Sequence, residues 1–250
     1  MLDAARTSGN TNDLRGRLLR VRPSADGGYT VPAGDLYPQG TAKTRPEIYA
    51  MGFRNPFRFS VDPANGWVYL ADYGPDRRGG PTTNRGPEGL VELNVITTPG
   101  NYGWPFCHGD NQPYAPYNPD TGVVGAKFNC ADPVNNSPNN TGLTNLKPIV
   151  EPNIWYSNGA SPTFPELASG GAAPMGGPVY RYNPADPSTT KFPPYYDGVH
   201  FFYEWSRNFI KEVHLRLRGR RHPPQPVRAR RRLPQADGHA LRPGRLRVPA

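Results

Sequence analysis

Short stretches of alternating apolar and polar residues, separated by turn-rich segments, recur along the first 215 residues. In "LRGRLLRVRPSADGGYTVP", Leu19 and Val21 alternate with Leu18, Arg20 and Arg22 before a turn at Asp26-Gly27-Gly28. "FRFSVDPANGWVYLADYG" is clearer. Phe57, Phe59 and Val61 recur with a period of two, Asn65-Gly66 makes a hairpin-type turn, and Val68 and Leu70 resume the period. Such alternation is the signature of a half-buried strand, and Asn-Gly accepts the left-handed backbone of a tight hairpin. The same pattern predicts a third strand over 89–96 and a fourth over 176–183. "HFFYEW" and "NFIKEVHL" predict a fifth and sixth. No helix of ten or more residues is predicted. "LRGRLLRV" has a helical alternative, which Gly16 and the β-branched end weaken.

Repeated strand–turn–strand units with polar connections point to an all-β propeller or sandwich. Two segments, 77–88 and 106–175, are too long for simple turns, and loops of that size cover or build a site. The chain enters its first strand at "RTSGNTNDLRGRLLRV" with no preceding element to pair with it, which predicts a missing N-terminal portion.

The formal charge of +9 would suggest a polyanion-binding protein, but it is unevenly placed. Residues 216–250 hold 11 Arg and one Asp, a net of +10, so residues 1–215 carry 18 basic and 19 acidic residues and a net of −1. The body is near neutral, and no nucleic-acid partner is expected for it. No apolar run of about 18 residues predicts a membrane span. "MLDAARTSGN" lacks the apolar core of a signal peptide. Cys107 and Cys130 flank a Gly/Pro/Asn-rich segment. They are either unrelated thiols or a disulfide stapling a loop with little core of its own, and a disulfide would place the protein outside the cytoplasm.

Five motifs then share one order: "NTNDLRGRLLRV", "EIYAMGFRNPFRFSVDP" (47–63), "DYGPD" (72–76), "GNYGWP" (100–105) and "PMGGPVYRY". Together, over roughly residues 6–215, they resemble the soluble glucose/sorbosone dehydrogenase family, most closely its actinobacterial sugar dehydrogenases. The resemblance implies a partial six-bladed β-propeller of roughly three to four blades over residues 1–215, followed by an arginine/proline-rich disordered tail over 216–250. It implies pyrroloquinoline quinone and calcium as cofactors, a sugar as substrate, an electron acceptor, and a secreted or periplasmic parent protein.

Arg54 and Asn55 in "FRNP" would then bind the cofactor. The Arg fork suits a carboxylate or a reduced quinone oxygen, and Asn55 can donate to a quinone oxygen. Without the resemblance, Arg54 would pair with a neighbouring acid and Asn55 would form an Asx-turn before Pro56. Gly74 and Pro75 stand where the family's backbone carbonyls hold calcium, a hard cation that favours oxygen ligands. The alternative is an ordinary Gly-Pro corner. Val91 replaces an acid common at its position, while Glu92 remains. Tyr102 is placed near the cofactor and Trp104 between blades. Arg207 falls about where the family carries a cofactor-contacting basic residue, with Lys211 as its rival. His108 reads as a loop residue and His200 as strand-end structure. The resemblance puts the catalytic His in an "HxGG"-like motif upstream of this chain. Its expected role is general-base removal of a sugar hydroxyl proton as hydride passes to the quinone. The rival functions are a carbohydrate- or partner-binding propeller without catalysis and a calcium-dependent lactonase-type propeller.

The tail uses only nine residue types, all with GC-rich codons, and shows no periodicity. A legal codon choice for 216–246, shifted by one nucleotide, decodes to a segment containing "MDMRFGPDG", which echoes "FRFSVDPANG". The expectation is a frameshift beginning near Leu215. The rival is a genuine arginine-rich arm binding nucleic acid in a salt-dependent way.

Overall fold

Turn chemistry cuts the chain into strands of two to six residues. The computed structural model describes residues 3–76 and 85–215, so the expectations for 216–250 lie outside the described residues. In chain order the strands are β1 (Arg17–Leu19), β2 (Arg22–Pro23), β3 (Tyr29–Thr30), β4 (Ile48–Met51), β5 (Arg58–Val61), β6 (Val68–Asp72) and β7 (Val91–Ile96). They continue with β8 (Gly100–Asn101), β9 (Cys107–His108), β10 (Gln112–Pro113), β11 (Ile154–Tyr156), β12 (Pro174–Val179), β13 (His200–Glu204) and β14 (Phe209–Val213). The helical elements among the described residues are single 3-10 turns of three residues each. The all-β expectation holds.

The largest sheet is antiparallel, with strand order β11-β7-β6-β5, and the next is β12-β13-β14. These two sheets pack face to face, as neighbouring blades of a propeller do, with β12 lying against β5, β6 and β7. Gly176 makes that approach possible. A Cβ there would lie 2.5 Å from the Tyr69 carbonyl oxygen and 2.8 Å from that of Arg58. Between and beside the sheets lies a core that includes Leu93, Ile154, Tyr156, Phe164 and Phe202. A second core, with Leu36, Ile48, Met51, Phe106 and Leu146, lies under the N-terminal segment. There β4 pairs with β1 on one side and runs parallel to β8 on the other.

Three details differ from the sequence-based expectation. The long segment 106–175 contains β11, which supplies the fourth strand of the largest sheet by pairing with β7. Only three residues long, it is too short for a period of two to show. The fourth predicted strand, 176–183, begins earlier and ends at Val179. The Phe57, Phe59 and Val61 face also points outward, each residue being more than half exposed. The inward position on β5 is Ser60, whose hydroxyl donates to the Gly177 carbonyl. Packing against a glycine pair favours that small polar residue over the aromatic face.

Cys107 and Cys130 form a disulfide, with Cα atoms 6.1 Å apart and a sequence separation of 23. The free-thiol alternative is therefore corrected. Asn135 ties the same segment to the N-terminal region, its Nδ2 donating to Ala5 O at 2.8 Å and Gly9 O at 2.9 Å. Closing a loop of that length restricts the unfolded chain, so Cys130→Ser is expected to cost about 3 kcal/mol in denaturant unfolding. An unchanged midpoint would show that the staple contributes nothing.

His200 opens β13 and is fully buried, its ring stacked on Tyr69 with centroids 4.4 Å apart. Burial pushes its pKa down to about 3. The unfolded chain takes up a proton near pH 6.5, and the folded chain does not until about 3. This contribution to stability is therefore full above pH 6.5 and is lost as pH falls towards 3, by up to about 1.4 kcal/mol per pH unit. His200→Phe, which keeps a ring against Tyr69, should flatten the fall in melting temperature between pH 6.5 and 4. An unchanged slope would exonerate His200.

Candidate functional site

The register of β6 and β7 sets Asp72 directly opposite Glu92. Opposite residues share a face of the sheet, so two carboxylates lie side by side in the interior, an arrangement that costs stability unless it is compensated. Both are fully buried, as is His108, delivered by β9. Ligand atoms of the three side chains lie within 4.8 Å of one another.

Asp72 is spent on the backbone of the "FRNP" turn. Its Oδ2 accepts from the Arg54 amide at 2.9 Å and its Oδ1 from the Asn55 amide at 2.7 Å. Asn55 returns its carbonyl to the Tyr73 amide at 3.1 Å. The turn after β4 is thus clamped to the end of β6, and Arg54 is aimed across it. Arg54 Nη1 donates to Tyr73 O at 3.1 Å and Gly74 O at 2.9 Å, and the guanidinium lies 5.9 Å from the Trp104 ring centroid. The alternative in which Arg54 pairs with an acid through its side chain is not what the structure shows: its partners are carbonyls.

On the other strand, Glu92 Oε1 accepts from the Gly109 amide at 2.6 Å and Oε2 from Asn94 Nδ2 at 3.1 Å. His108 Nε2 lies 3.1 Å from the Leu90 carbonyl oxygen. Its Nδ1 faces Glu92 Oε1 at 3.2 Å without forming an aligned hydrogen bond. Burial raises Asp72 to about 6 and Glu92 to about 8, and lowers His108. His108 is therefore not a plain loop residue. It begins a buried cluster directly beneath Gly74, where an added Cβ would lie 2.8 Å from His108 Nε2 and 1.7 Å from Leu90 O.

Above that cluster lies a shallow pocket. Tyr73, Gly74, Pro75 and Asp76 line it together with Val91, Asn158 and Ala172. Arg54 reaches this corner through its 2.9 Å bond to the Gly74 carbonyl, although it is not among the residues that line the pocket. Tyr73 Oη donates to Asp76 Oδ1 at 2.7 Å, which adds a carboxylate beside the corner. Val91, the apolar replacement, is buried in the pocket wall.

The other expected site residues are placed differently. Tyr102 is buried and stacks on Phe53 at 5.2 Å, within a core cluster that includes Leu18, Ala50 and Leu70. Its aromatic bulk is used in packing. Trp104 sits edge-on to His108 and Tyr114. Arg207 is spent on carbonyl oxygens. It donates to Gly171 at 2.7 Å, Leu167 at 2.8 Å, Ala168 at 2.9 Å, Gly159 at 3.4 Å and also Ser157, while stacking over Tyr156. Those carbonyls flank Asn158 and Ala172, so Arg207 braces a pocket wall. Lys211 lies in β14 with its Nζ 4.8 Å from the Phe209 ring centroid.

Asp72 and His108 are the residues that motif reading passes over. Asp72 closes an otherwise apolar "VYLAD", and Glu92 interrupts the apolar "LVELNVI". Buried strands carrying lone acids are the available signal. Pairing the two strands places the acids opposite each other.

The protein-family model described as Glucose / Sorbosone dehydrogenase matches residues 3–125. Over that stretch, just under half of its length, the chain is similar to the glucose/sorbosone dehydrogenase family. Two curated relatives come from Arabidopsis thaliana. HIPL2 protein is 32% identical over 140 residues, covering 50% of this chain and 18% of the relative. HIPL1 protein is 27% identical over 187 residues, covering 69% and 21% respectively. The chain thus spans about a fifth of each relative's length. Among solved structures, the soluble aldose sugar dehydrogenase from Escherichia coli in its apo-form aligns over 91% of this chain and 47% of its own, at 16% identity and a TM-score of 0.48. A putative oxidoreductase (glucose dehydrogenase) from Thermus thermophilus aligns over 89% and 45%, at 17% identity and a TM-score of 0.44. No helix among the described residues is long and apolar enough to cross a membrane.

Gly74 has no room for a side chain, and its nearest neighbour is backbone. Gly74→Ala is therefore expected to destabilise the fold by about 3 kcal/mol through overpacking, and to disturb the pocket more than the remote sheet β12-β13-β14. Chemical denaturation combined with amide exchange checks both. A silent substitution would mean that the Leu90 backbone yields easily.

Proposed function

We propose that this chain forms part of a quinoprotein sugar dehydrogenase and contributes one side of its cofactor cradle. The observation that carries this reading is the meeting of Arg54 with the Gly74-Pro75 corner, clamped through the Asp72 carboxylate. Pyrroloquinoline quinone, when bound, accepts the electrons of the oxidised sugar hydroxyl carbon with calcium as a Lewis acid.

The residues present suit that pair of groups. Arg54 uses Nη1 for both carbonyls, which leaves the rest of its fork for a cofactor carboxylate or quinone oxygen. The Gly74 and Pro75 carbonyls and the Asp76 carboxylate are hard oxygen donors at the pocket wall. Gly74 O already accepts from Arg54, so the guanidinium shares or cedes that oxygen when calcium is held. Asn55 is exposed beside Arg54 and free to orient toward a ligand carbonyl. Among the described histidines, His108 and His200 are buried and His214 lies 3.1 Å from Glu212, so none is offered to the pocket as a base. The disulfide supports an oxidising, extracytoplasmic compartment.

The test is reconstitution. The chain is mixed with pyrroloquinoline quinone, with and without calcium, and binding is followed by quinone absorbance and by reduction of a redox dye when an aldose is added. Calcium-dependent binding with weak turnover is expected. Arg54→Ala should weaken it by about tenfold to hundredfold, the cost of a charge-assisted hydrogen bond. Absent or calcium-independent binding refutes the proposal. Ester hydrolysis with calcium alone would favour the lactonase-type reading instead.

A further inference from the structure

The Asp72, Glu92 and His108 cluster beneath Gly74 is rich in acceptors and poor in donors. His108 Nε2 faces only the Leu90 carbonyl, at 3.1 Å, so that nitrogen carries the ring hydrogen. The Nδ1 lone pair is then left bare, and it faces Glu92 Oε1 at 3.2 Å with no hydrogen-bond partner of its own. Two acceptors at that distance need a positive centre between them, either a proton on one of the two groups or a metal ion. A second buried acceptor, Asn94 Oδ1, also lacks a partner, and its amide belongs to the side chain that donates to Glu92. The donors reaching the two carboxylates are the amides of Arg54, Asn55 and Gly109 and the Asn94 side-chain NH2, none of them cationic.

We propose that Asp72, Glu92 and His108 bind a divalent transition-metal ion of the zinc class. Two carboxylate oxygens and one imidazole nitrogen form a mixed N/O donor set that such ions take, and their two negative charges match the ion's. Ligands at about 2.0–2.1 Å in a tetrahedron stand roughly 3.3 Å apart, close to the 3.2 Å between His108 Nδ1 and Glu92 Oε1. The remaining ligand atoms lie within 4.8 Å and need to close in by up to about 1.5 Å. The Leu90 carbonyl does what a second partner does for a metal-bound histidine: it takes the other ring N–H and fixes the tautomer. The ligands come from β6, β7 and β9, so the ion would join the edge hairpin of the disulfide-stapled segment to the largest sheet. It would also lie directly under the Gly74 corner.

Cobalt is the probe. The full chain is stripped with a chelator, desalted and titrated with Co2+. The expected result is one cobalt per chain after gel filtration, visible d–d absorption, displacement by Zn2+, and a higher melting temperature with Zn2+. His108→Cys should add a thiolate-to-cobalt charge-transfer band, and Glu92→Gln should weaken binding at least about tenfold. If the wild-type chain retains no cobalt and zinc leaves its melting temperature unchanged, the cluster holds a proton and the proposal is wrong. Cobalt bound with a spectrum indifferent to both substitutions places the ion elsewhere and also overturns it. Should the variants fail to fold, zinc-edge X-ray absorption of the wild-type chain decides. One imidazole among oxygen neighbours is expected, and sulfur or several imidazoles would refute the assignment. These readouts do not depend on sugar oxidation, so the cradle proposal stands or falls separately.

Discussion

Everything at the site depends on one buried carboxylate. Asp72 gives both oxygens to consecutive amides of the "FRNP" turn, and through them holds the loop after β4 against the end of β6. A charged acceptor takes two backbone N–H groups that would otherwise have to find partners at the sheet's end. The geometry of Arg54 follows from that clamp. With the turn fixed, the guanidinium reaches the Tyr73 and Gly74 carbonyls, two residues of the pocket wall. The clamp also costs something, since Asp72 sits opposite Glu92 without a cationic side chain bonded to either. The interior therefore tolerates two carboxylates because amides, and a third group, compensate them.

The strand pattern was legible because turns are written in residues of special conformation. Asn65-Gly66 predicted a hairpin and Asp26-Gly27-Gly28 a turn, and both join paired strands, with Gly66 and Gly27 in the left-handed region. Period-two alternation located β5 to β7 and the β13–β14 pair. It misjudged which face of β5 is buried, because the deciding neighbour, the Gly176–Gly177 pair, lies more than a hundred residues away. A local period shows that a strand has two faces. Only the distant partner shows which one is covered. Strands of two or three residues such as β9 and β11 carry no usable period at all.

The site was legible where chemistry sits in contiguous motifs and hidden where it depends on pairing. Arg54, Gly74 and Pro75 stand in strings that announce themselves, and Arg54 bonds the Gly74 carbonyl. Asp72 and His108 matter through strand register and an inter-strand hairpin, and Glu92 was noted only for the residue beside it. Tyr102 and Arg207 show the reverse case. Their side chains suit a cofactor site, and here they stack on Phe53 and bond loop carbonyls. A long polar or aromatic side chain keeps such options open until its neighbours are known.

Arg207 has one more effect. A guanidinium is a flat plate, and its donors keep fixed angles to one another. Here the plate is bolted to carbonyls from 157–159 and from 167–171 at once, with Tyr156 stacked against its face. The two segments cannot drift independently without breaking several of those bonds together. They are tied into one panel, and separate displacement of Asn158 or Ala172 has to strain bonds that Arg207 makes to both segments.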